Sequence, residues 1–229
     1  MPIINDKEFG SITVRRSNRS SSMKVTVAPN GTLRISAPTY APLFMVKRMI
    51  AGSRDELRKL RQSHPTLELI DGMAIGKSHS LQVITGAPAR TIKKSGQRII
   101  LYLAQADSLA DDTVVDLARK HIITALRKEA KHYLPKRLRF LADQHGFEYS
   151  NVRFSHASGR WGSCNHAKMI SLNIALMNLP FELIDYVLIH ELAHTVRLDH
   201  SPAFWQLVEQ ADPDFKLHRK MMKSYSPSV

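Results

Sequence analysis

The chain has 229 residues, 43% hydrophobic and 23% charged, which suits a globular protein with a sizeable core and excludes a disordered or fibrous one. A single cysteine, Cys164, excludes an intrachain disulfide and points to a reducing, cytoplasmic compartment; no apolar leader lies within Met1 to Gly10 and no apolar run is long enough to span a membrane. The net charge of +13 is uneven, with 25 Lys and Arg against 13 Asp and Glu in residues 1–150 but 8 against 7 in residues 151–229. Such a field attracts polyanions, so nucleic-acid contact through the amino-terminal two thirds is one expectation and a merely solvated basic face is the other.

In chain order, the first forty residues alternate in the strand manner (Ser11–Arg15, Met23–Val27, Thr32–Ser36), with Pro29-Asn30-Gly31 as a turn signal, and predict a β-meander. Ala41–Gln62 changes to helical spacing, with Gly52 and Ser53 as a point of interruption. Three more strands are predicted at Ser80–Thr85, Ala89–Lys93 and Arg98–Leu103, so residues 1–105 read as a β-rich region with one helix. Asp111 or Asp112 caps a long amphipathic helix running to Gly146, which Pro135 is expected to kink or split. Short strands at Tyr149–Phe154 and Met169–Ile174 and an apolar helix entered at Pro180 follow, then helices opened by Pro202 and Pro213. The class is α+β, with residues 106–229 as a second domain.

Within that apolar helix lies His190-Glu191-Leu192-Ala193-His194, and His200 follows six residues later. Histidines four apart share one helical face and can hold one metal ion, while Glu191 reaches a water beside that metal as general base. With His200 there are three histidine ligands and one open position, the count of a catalytic zinc site. The alternative, satisfied core histidines, leaves two imidazoles and a carboxylate to be buried at about 1–3 kcal/mol per unpaired group. A metzincin carries glycine where this chain has Arg197, so the turn toward His200 is expected to use Leu198 and Asp199 instead.

Arg160-Trp161-Gly162-Ser163-Cys164, Ile170-Ser171-Leu172-Asn173, the His190 to His194 string and Asp199-His200-Ser201-Pro202-Ala203-Phe204-Trp205 together resemble the YgjP-like metallopeptidase family, a zincin-like group related to SprT-like and WLM domains. The resemblance implies a zincin-like catalytic domain with a small antiparallel sheet, one zinc ion on His190, His194 and His200, and Glu191 as the base. It also implies that Arg160 or Asn173 touches substrate or holds the site's architecture. Phe204 and Trp205 are expected to pack the helix after the third ligand. The substrate expected is a peptide or protein, paired with an edge strand for which the segment of Ser171 and Asn173 is the candidate. Two other readings stand beside it: hydrolysis of an anionic non-peptide substrate such as a nucleotide phosphoanhydride, and a nucleic-acid-associated binding module, which combined with peptidase activity would be a DNA-associated protease.

Overall fold

In the structure, a computed structural model describing residues 2–18, 20–28, 31–62 and 67–228, the early alternation forms β1 (Ile3–Asp6), β2 (Gly10–Ser17), β3 (Lys24–Val27) and β4 (Leu33–Pro38). Their order is β1-β2-β4-β3, with β2 and β4 parallel and the outer pairs antiparallel, so the sheet is not the expected meander. Alternation decides which side chains face inward but not which strand neighbours which. The strand that brings Leu33, Ile35 and Ala37, all fully buried, takes a central place with both edges hydrogen-bonded. Of the predicted turn, Gly31 adopts φ +73°, and Pro29 and Asn30 lie outside the described residues.

The helical stretch becomes α1 (Leu43–Gly52) and α2 (Arg54–Gln62), broken at Ser53. Val46, Ile50 and Leu57 close a core against Ile12, Val14 and Ile35. Arg54 joins α2 to Asp6 and Glu8 at 3.0 and 2.8 Å, and Arg58 also binds Glu8.

Strands β5 (Ala74–Ile75), β6 (His79–Ala87), β7 (Thr91–Ser95) and β8 (Arg98–Ala104) form a second sheet, β5-β6-β8-β7. It repeats the first sheet's pattern, with a parallel central pair and antiparallel flanks. The compact units of the chain are Met1–Leu67 and Glu68–Val229, so the division near residue 105, read from strand content, falls inside the second unit.

Helix α3 (Asp112–His145) begins after Asp111, passes Pro135 without splitting, and ends at Gly146, whose φ of +71° suits a residue lacking Cβ. Its buried Glu129 organises the entry to β6: the carboxylate accepts from the Lys77 and Ser78 N–H groups, the Ser78 hydroxyl and Nδ1 of His79 at 2.5–3.1 Å. Gly76 is there because a Cβ would run into that carboxylate. The same loop reaches the segment ahead of the motif helix, through Gly76 N–H to Asn178 Oδ1 and Lys77 Nζ to the Leu179 carbonyl.

A third sheet contains β9 (Asn151–Ser155), β10 (Gly162–Cys164) and β11 (Met169–Asn173) in the order β10-β11-β9. Pairing β11 with β9 is parallel and with β10 antiparallel, so this sheet is mixed rather than antiparallel throughout. After a 3-10 turn over Ile174–Asn178 come α4 (Phe181–Ala193), α5 (Pro202–Ala211) and α6 (Phe215–Met221), completing an α+β architecture. Arg137 of α3 grips Asp185 of α4 with two bonds of 2.8 and 2.6 Å. Among the described residues no helix is long and apolar enough to cross a membrane.

Burial alone would raise the Glu129 carboxyl pKa, but the bonds from Lys77, His79 and Ser78 outweigh it and the net shift is downward. A depressed carboxyl stabilises the fold above its unfolded pKa, and that contribution is lost as pH falls through the folded value. Glu129→Gln is therefore expected to cost about 2–4 kcal/mol at pH 7 in urea unfolding, with the gap to wild type narrowing below about pH 4.5. A gap independent of pH would contradict this role.

Candidate metal centre

Helix α4 is apolar nearly all round because it is buried nearly all round: Leu183, Ile184, Leu188, Leu192 and Ala193 are fully enclosed. His190 and Glu191 sit in its last turn, and His194 is the residue at which it ends. The chain then turns through Thr195, Val196 and Arg197, whose N–H groups bond back to Leu192 and Ala193 carbonyls. No left-handed residue is used. The chain does bend at Leu198 and Asp199, as expected, but without a left-handed residue there, since Lys168 is the one non-glycine with positive φ among the described residues. Asp199 contributes differently, its Oδ1 accepting from the Ser201 hydroxyl at 2.8 Å and so tying His200 to the start of α5.

These backbone turns bring three imidazoles together. Nε2 of His190 lies 3.2 Å from Nε2 of His194 and 3.3 Å from Nε2 of His200. Nitrogens about 2.0–2.1 Å from one tetrahedral zinc would be about 3.3 Å apart, so the spacing fits that ion. His190, His194 and His200 are the one such group of metal-capable side chains among the described residues. Nδ1 of His194 faces the Arg197 carbonyl at 3.0 Å, which directs its proton there and leaves Nε2 free as a ligand atom. Nδ1 of His190 is buried without a hydrogen-bond partner among the described residues, and rings hold this imidazole instead: Phe204 at 5.0 Å, Trp205 at 5.8 Å and Tyr186 at 6.1 Å. Burial above all, then the neighbouring His194, His200 and Arg219, lowers the His190 pKa to about 3. Burial likewise lowers that of His194. Neutral imidazole is the form that binds metal.

Phe204 is fully buried, stacked on His194 at 4.5 Å and edge-on to His190 and His200. Trp205 stacks on His200 and on Phe215, with the Arg219 guanidinium 4.5 Å over its ring. Both aromatics thus back the imidazoles. Tyr186 lies one helical turn before His190 on α4, a contact the spacing allows, whereas Phe215 and Arg219 were not singled out because nothing in the sequence indicates that α6 returns to α4.

Glu191 is 5% exposed, and its Oε2 is buried without a hydrogen-bond partner among the described residues. Burial pushes its pKa up to about 8, against the opposing pull of Arg160. A cation held by the three imidazoles would favour the ionised form. Gly162 of β10 lies directly against it: a Cβ there would come within 2.5 Å of Oε1 and 2.7 Å of Cγ and Cδ. The glycine of the Arg160–Cys164 string is therefore a close-approach glycine, a reason that sequence inspection did not supply. Cys164, half-buried on the same strand, has its thiol pKa raised, chiefly by burial.

Asn173 is fully buried and donates from Nδ2 to the carbonyls of Ala157, Arg160 and Pro227 at 2.6–3.1 Å, while Oδ1 accepts from Ala175. Every polar atom of its side chain is engaged, and substrate contact would require breaking these bonds. Arg160 is exposed and close enough to act electrostatically on Glu191. Strand β11 is bonded on both sides, so the edges are β9 and β10, and β10, whose Gly162 lies against Glu191, replaces β11 as the candidate strand for substrate pairing. A cleft of about 380 Å³ opens beside His194, lined by Asn165, Lys168, Thr195, Arg197 and others.

Within an α+β fold, two imidazoles and a buried glutamate at the carboxyl end of α4 meet a third imidazole from the loop before α5, and the family comparison makes the chain a metallopeptidase. The chain belongs to the YgjP-like family: the description "YgjP-like, metallopeptidase domain" matches residues 21–225. It is also similar to the crystal structure of the metallopeptidase zymogen of Pyrococcus abyssi abylysin, at 29% identity over 39% of this chain and 92% of that one, with a TM-score of 0.36. Comparison with curated proteins returns no significant match.

Gly162→Ala is expected to displace the Glu191 carboxylate and lower peptide hydrolysis on the order of 10²-fold, with metal content unchanged. Parallel assays of turnover and bound metal check this; full activity would show that Glu191 does not need its present position.

Proposed function

We propose that His190, His194 and His200 hold one zinc ion and that Glu191 is the general base of peptide-bond hydrolysis, with residues 106–229 as the catalytic domain. The observation that carries this reading is the 3.2–3.3 Å spacing of the ring nitrogens next to a buried carboxylate. When bound, zinc supplies Lewis acidity, polarising the scissile carbonyl and bringing the pKa of water to about 7.

The remaining steps belong to the chain. Strand β10 offers its free edge to an extended peptide, which places the scissile bond beside Gly162 and Glu191. Glu191 accepts the proton of the attacking water and passes it to the leaving amine. Arg160, exposed beside the edge strand, contacts the substrate or its developing charge, while Asn173 positions the 157–160 segment. Phe204 and Trp205 keep water from the far side of the imidazoles, and the cleft beside His194 receives substrate side chains.

Wild type purified without added metal is expected to carry one equivalent of zinc, falling at least about tenfold in His194→Ala and in His200→Ala. Glu191→Gln should keep the zinc and lose about 10²–10⁴-fold in peptide turnover. Zinc retained by both histidine variants would overturn the site. Turnover of nucleoside triphosphates that depends on Glu191, with none of peptides, would move the same chemistry to phosphorus and overturn the peptide assignment.

A further inference from the structure

The first unit carries 12 Lys and Arg against only 4 Asp and Glu in residues 1–67. The acidic groups are confined to one side. Asp6 and Glu8 are engaged by Arg54 and Arg58, and Asp55 and Glu56 belong to α2 itself. The sheet that α1 and α2 cover on its inner face has an outer face open to solvent, and its side chains follow from the register. Thr13 of β2 and Thr26 of β3 both lie opposite Arg34 of β4, while Arg15 of β2 and Lys24 of β3 both lie opposite Ser36. Ile12, Val14, Val27, Leu33 and Ile35, which alternate with them, are buried. Arg15, Lys24 and Arg34 are all exposed.

With strands about 4.8 Å apart and alternate residues about 6.7 Å apart, the backbones of Arg15 and Lys24 are about 8 Å from that of Arg34 and about 10 Å from each other. The physiological Debye length is about 8 Å, so the three fields reinforce one another with no acid among the six positions. In the second sheet, of the same strand order, the corresponding outer face is mixed, with Ile84, Ile100 and Tyr102 beside the exposed Lys93 and Arg98.

We infer that the outer face of the β1–β4 sheet is a binding surface for double-stranded nucleic acid, gripped through its phosphates by Arg15, Lys24 and Arg34 without reading base sequence. Charges this far apart suit a polymer with repeated phosphates better than one small anion. Thr13, Thr26 and Ser36 add the hydroxyl donors that phosphate oxygens accept. An acidic protein partner would need a cluster of apolar anchors, and beside these six positions the face offers a lone one, Ile3 of β1 opposite Thr13; a single strand would need aromatic platforms, absent from these six positions. The inference does not rest on the peptidase reading, and its test is independent of zinc and turnover.

The test is fluorescence anisotropy of a labelled 20-base-pair DNA duplex with the full chain at several salt concentrations. Three phosphate contacts predict a slope of log affinity against log salt of at least about −2.7, and the triple variant Arg15→Gln, Lys24→Gln, Arg34→Gln should be shallower by about that amount. Lys24→Gln alone, on an exposed edge strand, should reduce the slope by about 0.9, which keeps the test valid if the triple variant melts. Neutralising exposed Lys120, Lys128 and Lys131 of α3 should leave the slope unchanged. An unchanged slope in the sheet variants, an equal loss in the α3 variant, tighter binding of the single strand, or equal competition by polyglutamate would each overturn the proposal.

Discussion

Burying a carboxylate and an imidazole in the last turn of an apolar helix is the constraint around which the second unit is arranged. Glu191 is 5% exposed with one oxygen unpartnered among the described residues, and desolvation pushes its pKa up and that of His190 down. Left without partners, such groups would cost about 1–3 kcal/mol each, more for a charge. The surroundings are built to convert that cost into chemistry. Two further imidazoles converge on His190, Phe204 and Trp205 fill the space behind the rings, and β10 presses a glycine against the carboxylate.

Holding these groups to fractions of an ångström requires that α4 and β10 be fixed independently of the metal. Helix α4 is tied to α3 by the two-bond Arg137–Asp185 pair. Strand β10 follows a loop whose carbonyls at Ala157 and Arg160 are gathered by Asn173, together with Pro227 from the end of the chain. Glu129 performs the equivalent task at the other side of α3, collecting the Lys77–His79 turn, which also touches Asn178 and Leu179 just ahead of α4. Buried side chains of α3 and β11, remote in sequence from the motif, thereby set its geometry.

The two four-stranded sheets show how one topology serves different surfaces. Both place a parallel pair at the centre and close one face with apolar residues. Their outer faces differ in chemistry, one carrying Arg15, Lys24 and Arg34 among hydroxyl side chains and the other setting Lys93 and Arg98 among Ile84, Ile100 and Tyr102. Pairing depends on backbone hydrogen bonds, so the outward side chains are free to vary without loss of fold.

His200, beyond the helix, was picked out only by its offset and by the family resemblance, while the shared face of His190 and His194 was legible from the sequence because helical periodicity puts i and i+4 side by side. So were the long helix from Asp112 to His145, the break at Ser53 and the class α+β, which depend on local capping, turn residues and apolar period. Strand order was not legible, since alternation is satisfied equally by a meander and by β1-β2-β4-β3. Nor was the reason for Gly162, whose meaning lies in a carboxylate 29 residues on. The sequence by itself determined the local elements and singled out the three histidines that the fold brings together. Only the tertiary structure decided which edge strand meets Glu191, which rings support the imidazoles and which sheet face is left charged, because those depend on contacts between residues that no local period relates.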